Sequence, residues 1–215
     1  MTLSILICVH STDNLHDKLL IDSLVSLNRQ TYKQFDVFIV FDECWNSTNN
    51  LVEDKDYFFK IHRLFHAKKQ GLSEAKNFGL KYIDSDWVGF LDADDLYIET
   101  KLEKQISYIK NNEVDFLGTQ ALNRNLITNK ITDSCFMLGQ YETHEQISKY
   151  IKYENFLTHG SMLIKKECLD KLGGYKNVKG SEDWDLWKRA IDYGYKFHQI
   201  QERLYIWTYN TSVSR

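Results

Sequence analysis

A chain of 215 residues is long enough for one substantial core, since domains commonly run to roughly 100–200 residues. Its 43% hydrophobic, 14% aromatic and 27% charged residues are a globular composition, and the apolar share excludes disorder as the main state. A formal charge of −3 argues against a dedicated nucleic-acid binder, and no apolar run approaches the roughly 18 residues of a membrane-spanning helix, although peripheral membrane contact stays open.

Leu3 to Val9 is an uninterrupted apolar run that fits a strand buried on both faces, and the N-terminus reads as that strand rather than as a leader peptide. From Asp17 to Leu27, Leu20, Leu24 and Leu27 fall at helical spacing. Strands follow over Phe35 to Phe41 and Phe58 to Phe65, and a helix over Leu72 to Tyr82. Trp87 to Leu91 is a fourth strand that runs into Asp92-Ala93-Asp94-Asp95. A helix over Glu99 to Lys110 precedes the strand-like Val114 to Gly118.

The second half is less regular. Residues 120–140 read as a polar excursion or a β-hairpin, Thr143 to Ile151 as a short helix and Ser161 to Ile164 as a strand. Glu167 to Leu172 reads as a helix closed by Gly173-Gly174, and Glu182 to Tyr193 as a helix capped by Gly194. Lys196 to Trp207 completes the chain as an extended segment. Strands alternating with helices predict an α/β domain with a mostly parallel central sheet flanked by helices, and in such sheets ligands bind outside the carboxyl ends of the strands. The four cysteines (Cys8, Cys44, Cys135 and Cys168) have no metal-like spacing and read as free thiols of a cytoplasmic protein.

Asp92 and Asp94, two apart on extended backbone, place both carboxylates on one side. A hard divalent cation relieves their repulsion and takes its other ligands from water and phosphate oxygens. The plainer alternative is a solvated Asp-rich turn capping the next helix. Glu182 and Asp183 open a helix, where acids are favoured by the helix dipole, and where a carboxylate general base that must stay ionised is also well placed. Lys76, delivered by the Gly71 turn, is either a solvated lysine or a cation for phosphate or a base edge.

In order along the chain, Leu3 to His10, Ser23 to Tyr32, Phe35 to Glu43, Gly71-Leu72-Ser73-Glu74-Ala75-Lys76-Asn77, Phe90 to Asp95, and Gly173-Gly174-Tyr175 followed by Glu182 to Trp187 resemble the motifs of the family 2 glycosyltransferases of the GT-A fold. The resemblance implies one GT-A-like catalytic domain over 1–215, with a nucleotide-binding half at 1–118 and an acceptor-binding half at 119–215. It implies a nucleotide-diphospho-sugar donor (UDP by default), a saccharide or glycolipid acceptor, Mn²⁺ or Mg²⁺, and inversion at the anomeric carbon. By the same resemblance Asp94 ligates the metal and Asp92 contacts the ribose or the metal's water shell. Glu43 and Lys76 hold the base with the chain at Val9 and His10 beside them, Ala93 lies in the donor site, and Asp183 is the catalytic base. His159, Glu182 and Trp184 fall on the acceptor side, with packing an equal alternative for His159 and Trp184.

The chain departs from the family pattern at several places: Glu43 stands for Asp, Lys76 for Arg, His10 for Tyr, and Tyr209 for a His that ligates metal in some relatives. Two rival readings are a nucleotidyltransferase, which needs a Gly- and Arg-rich loop that His10-Ser11-Thr12-Asp13-Asn14 lacks, and a non-catalytic sugar- or nucleotide-binding module.

Overall fold

The structure, a computed structural model, describes residues 1–10, 13–43, 52, 56–133, 141–178 and 180–210. Cys44 and Cys135 lie outside the described residues, whereas Cys8 and Cys168 are free thiols, half-buried and buried. No helix among the described residues is long and apolar enough to cross a membrane.

The first half contains β1 (Leu3–Val9), α1 (Asn14–Asn28), β2 (Asp36–Asp42), β3 (Ile61–His66), α2 (Leu72–Leu80), β4 (Trp87–Phe90), β5 (Leu96–Tyr97) and α3 (Lys101–Asn111). The second contains β6 (Phe116–Asn125), β7 (Ile131–Asp133), α4 (His144–Tyr150), a 3₁₀ turn (His159–Ser161), β8 (Leu163–Lys165), α5 (Lys166–Lys171), α6 (Glu182–Tyr193) and β9 (Phe197–Tyr209). The strands form one sheet in the order β3-β2-β1-β4-β8-β6-β9-β5, with β7 beside β6. Six strands (β1, β2, β3, β4, β6 and β9) run one way, and β5, β7 and β8 run against them.

Alternation along the strands divides the core between the two faces of the sheet. Ile5, Ile7 and Val9 of β1 and Val37, Ile39 and Phe41 of β2 meet Leu20, Leu24 and Leu27 of α1. Leu6, Phe38 and Val40 face the other way, onto Ala75 and Leu80 of α2. Close approach of α2 depends on Gly79, because a Cβ there would lie 2.5 Å from Leu6 Cδ1 and 3.0 Å from Val40 Cγ2. In the second half, Leu186, Trp187 and Ala190 of α6 are fully buried and join that second face.

Most element boundaries follow the hydrophobic pattern, and the differences have local causes. Helix α1 starts at Asn14 because the Asp13 side chain accepts from the backbone N–H groups of Leu15 and His16. Strand β6 runs on to Asn125, since its outer half pairs with β9 and, in the expected hairpin, with β7. Parallel pairing of β1, β2 and β4 puts the carboxyl ends of these strands on one edge of the sheet, and β9, running the same way, ends there too.

Candidate active site

At that edge a cleft of about 270 Å³ is lined by Cys8, Val9, His10, Asp92, Ala93, Asp94, Leu72 and Trp207, among others. It joins the end of β1, the loop after β4 and the end of β9. Five of the expected donor-site residues (Val9, His10, Asp92, Ala93 and Asp94) therefore meet in one place.

The acidic loop is not the extended stretch that the spacing suggested. Strand β4 stops at Phe90, and the Asp95 N–H donates to the Asp92 carbonyl at 3.1 Å, closing a turn. Both Asp92 and Asp94 still reach the cleft. Nor does the loop cap the next helix, which starts at Lys101 after Thr100. Its last acid, Asp95, points inward instead. Asp95 is 1% exposed and accepts from the Tyr205 hydroxyl (2.5 Å) and the Thr208 N–H (2.6 Å), both on β9. Burial first, and then the nearby Asp94 and Asp92 charges, push the Asp95 carboxyl well above the ordinary carboxylate range. The Ser23 hydroxyl of α1 donates to the Asp95 carbonyl (2.7 Å) and lies 3.0 Å from that of Ala93, bracing the loop from the other side.

A second brace is Asp42, the first of the acidic pair Asp42-Glu43 at the end of β2, whose bracing role the residue pattern does not show. Its buried carboxylate accepts from the N–H groups of Gln70 (2.9 Å) and Gly71 (3.0 Å) and pairs with His66 (3.0 Å). This fixes the turn that launches α2, where Gly71 adopts φ +92°, a left-handed conformation that favours glycine. The Asp42 carbonyl also receives the His10 Nδ1–H at 2.6 Å, so a neutral His10 keeps an accepting Nε2. Glu43, next in sequence, is exposed, with φ +68°.

Lys76 is not a solvated lysine. It is 3% exposed, and its Nζ lies 3.1 Å from Glu182 Oε1 and 5.0 Å from the centre of the Tyr175 ring. Its neighbour Asn77 clamps the backbone of Tyr175, accepting from its N–H and donating to its carbonyl, both at 2.8 Å. The two motifs around Lys76 and Gly174-Tyr175 thus meet as one structural joint.

Glu182 and Asp183 occupy the first turn of α6 as expected. Asp183 accepts from Asn155 Nδ2 at 3.0 Å and from the Trp184 N–H at 2.7 Å. The Trp184 indole donates to the Ile151 carbonyl at 2.5 Å, so its orientation is set by packing between helices. His159 is buried, with Nε2 2.7 Å from the Tyr175 hydroxyl and its ring stacked on Trp187. Burial, with Lys76 nearby, holds the His159 imidazole well below its ordinary pKa and hence neutral.

Tyr175 reports how close the two halves of the site come. Burial raises its hydroxyl well above the ordinary value, with further contributions from the Asp183, Glu182 and Asp92 charges. Residues of the cleft and of the α6 start therefore act on one buried phenol. Burial likewise pushes the Cys8 thiol up to about 12, which leaves it uncharged in the cleft wall.

Among the described residues no group of three His, Cys, Asp or Glu side chains gathers as a metal centre. The cleft instead offers the carboxylates of Asp92 and Asp94, hard oxygen donors suited to a cation that shares its coordination with water and phosphate oxygens. Tyr209 stacks against Trp207 with ring centres 5.6 Å apart.

The pattern of Glycosyl transferase family 2 matches residues 4–173 of the chain. An uncharacterized glycosyltransferase of Methanocaldococcus jannaschii is 32% identical over 206 residues, which cover 91% of this chain and 68% of that protein. The crystal structure of S. aureus TarS 1–349 in complex with UDP-GlcNAc superposes with a TM-score of 0.77 at 18% identity, covering 97% of this chain and 59% of that one. A mannosyltransferase from Pyrobaculum calidifontis in complex with GDP-Man and Mn²⁺ superposes with a TM-score of 0.70 at 14% identity, covering 95% of this chain and 56% of that one. The chain thus spans just over half the length of these two solved structures, with which it shares the fold.

Proposed function

The chain belongs to the family 2 glycosyltransferases, and on that premise we propose that its cleft binds a nucleotide-diphosphate sugar and passes the sugar to a hydroxyl acceptor with inversion at the anomeric carbon. The observation that carries this reading is the meeting of Val9, His10, Asp92, Ala93, Asp94 and Trp207 around one cleft at the carboxyl edge of the sheet.

In this reading the chain at Val9 and His10, with Glu43 on the rim, holds the nucleoside. The Asp42 carbonyl fixes the His10 ring against it. Lys76, which does not line the cleft and is bonded to Glu182, acts through that pair rather than on the nucleotide's base. Asp94 would hold Mn²⁺ or Mg²⁺, with Asp92 at the ribose or the metal's water shell, and the cation would supply neutralisation of the charge that builds up on the departing diphosphate. Asp183, oriented by Asn155, accepts the proton of the acceptor hydroxyl as the new C–O bond forms, a contribution of typically 10²–10⁴-fold. Attack from the Asp183 side, opposite the diphosphate, gives inversion. Glu182 and Trp184 border the acceptor, a saccharide or glycolipid. UDP is the first donor nucleotide to test and GDP the second, because the two solved neighbours hold UDP-GlcNAc and GDP-Man.

A thermal-shift screen of nucleoside diphosphates and their sugars, with and without Mn²⁺, tests this function. A ligand at about 100 times its Kd adds about 2.7 kcal/mol, which raises Tm by roughly 5–10 °C in a domain of this size. The expected result is a shift with one nucleotide class that grows with Mn²⁺. No shift with any nucleoside diphosphate in the presence of Mn²⁺ would contradict the proposal.

A further inference from the structure

We infer that Lys76 and Glu182 form a positioning pair that sets the base-bearing start of α6 against the donor half of the cleft. The inference rests on the assignment of Asp183 as base. Helices α2 and α6 are more than 100 residues apart in the chain, and side chains of α2 reach both the start of α6 and the loop before it. Two of the links, Asn77 with the Tyr175 backbone and the Ser73 hydroxyl with the Lys176 carbonyl (3.2 Å), hold the loop before α6. The bond from Lys76 to Glu182 reaches the helix start itself, one residue from Asp183.

The charges explain why this bond is specific. The Lys76 and Glu182 side chains are only 4% and 14% exposed. A buried ammonium requires a counter-ion, and removal of either partner leaves an uncompensated charge. Around Lys76 lie also the Tyr175 ring, the neutral His159 and the uncharged Cys8 thiol, and Glu182 is the carboxylate bonded to its Nζ, at 3.1 Å. Glu182 is therefore held in place by the demand of Lys76 for a carboxylate, and the backbone of Asp183 is held with it.

Hydrogen exchange of the ligand-free chain, together with hydrolysis of UDP-GlcNAc and of GDP-mannose in Mn²⁺, tests the pair. Lys76→Met and Glu182→Gln are each expected to speed amide exchange over residues 182–186 by roughly tenfold, and the double variant by no more than either single. Lys76→Arg, which keeps the charge, should retain the protection. If Lys76→Met does not fold, Glu182→Asp, which shortens the bridge by one methylene, should show the same rise to a smaller degree. On whichever donor turns over, both single variants should lower kcat by about tenfold or more while donor KM moves by less than about threefold. Unchanged exchange or additive losses in the double variant would overturn the pair. A raised donor KM with kcat kept in Lys76→Met, beside a silent Glu182→Gln, would overturn it too and make Lys76 a donor ligand. Full turnover by Asp183→Asn would remove the base assignment alone, because the exchange data report the pair independently of turnover.

Discussion

The Asp92–Asp95 loop and the Glu182–Asp183 helix start both carry neighbouring acids, but they are held by different means. The loop is fixed mainly by its own backbone turn, by the Ser23 hydroxyl and by Asp95, which is turned inward as a brace on β9. The helix start is fixed by side chains of other elements, Lys76 on α2 and Asn155 ahead of the 3₁₀ turn. The loop therefore fixes its two cleft acids through the core, whereas Asp183 at the helix start stays where its partners put it. One segment couples function to stability, and the other couples the two halves of the site.

The strongest test of that contrast is Asp183→Asn. It should lower sugar transfer or donor hydrolysis by about 10²–10⁴-fold while melting temperature and the nucleotide-induced thermal shift stay near wild type, as read by a turnover assay beside a melt. A large loss of stability would mean that this acid is a brace as well. Asp94→Ala should come next, lowering turnover by about 10²-fold and abolishing the Mn²⁺-dependent part of the nucleotide-induced shift. Loss of the nucleotide shift without Mn²⁺ would show that the loop, not the cation, had been disturbed.

Asp95→Ala addresses the brace directly. It leaves the Tyr205 hydroxyl and the Thr208 N–H without their buried acceptor, at a cost of about 2–4 kcal/mol and a fall in Tm on the order of 10 °C by calorimetry. A variant that melts like wild type would refute the division of labour within the loop.

The smallest expected effect is on pH dependence. The imidazole of His159 is held below its ordinary value of 6.5, so the unfolded chain binds the extra proton first as pH falls. This contribution is fully present above about pH 6.5 and is lost on acidification below it. Melts between pH 7.5 and 5 on the order of half a unit apart should show a shallower acid limb in His159→Gln than in wild type. An equal slope would mean that the fold takes up the His159 proton as readily as the unfolded chain does.

Much of this arrangement is visible in the residues themselves. The apolar run Leu3–Val9 is β1, and Glu182–Tyr193 closed by Gly194 in a left-handed conformation is α6. These elements are long or strongly periodic, and their ends carry capping residues. The two-residue β5 and three-residue β7 are too short to show a period, and they exist because β9 and β6 offer them partners. The meeting of Val9, His10 and Asp92–Asp94 follows from parallel strands ending on one edge. The inward turn of Asp95 does not follow from its neighbours, because its partner Tyr205 is 110 residues away. Asp42 was obscured in the same way: its role depends on a turn at Gln70-Gly71 that only the fold brings near. Lys76 in isolation reads as a surface lysine, and its burial depends on Tyr175 and Glu182 from the other half of the chain.

The stereochemistry of donor hydrolysis tests the central assignment most directly, because water can replace an unknown acceptor. Proton NMR should follow the anomeric signal released from an α-linked nucleotide sugar with Mn²⁺, in wild type and in Asp183→Asn. The account predicts that the β-anomer appears first, before mutarotation, and that the Asn variant releases almost none. An α-anomer formed first, or undiminished release by the variant, would contradict it.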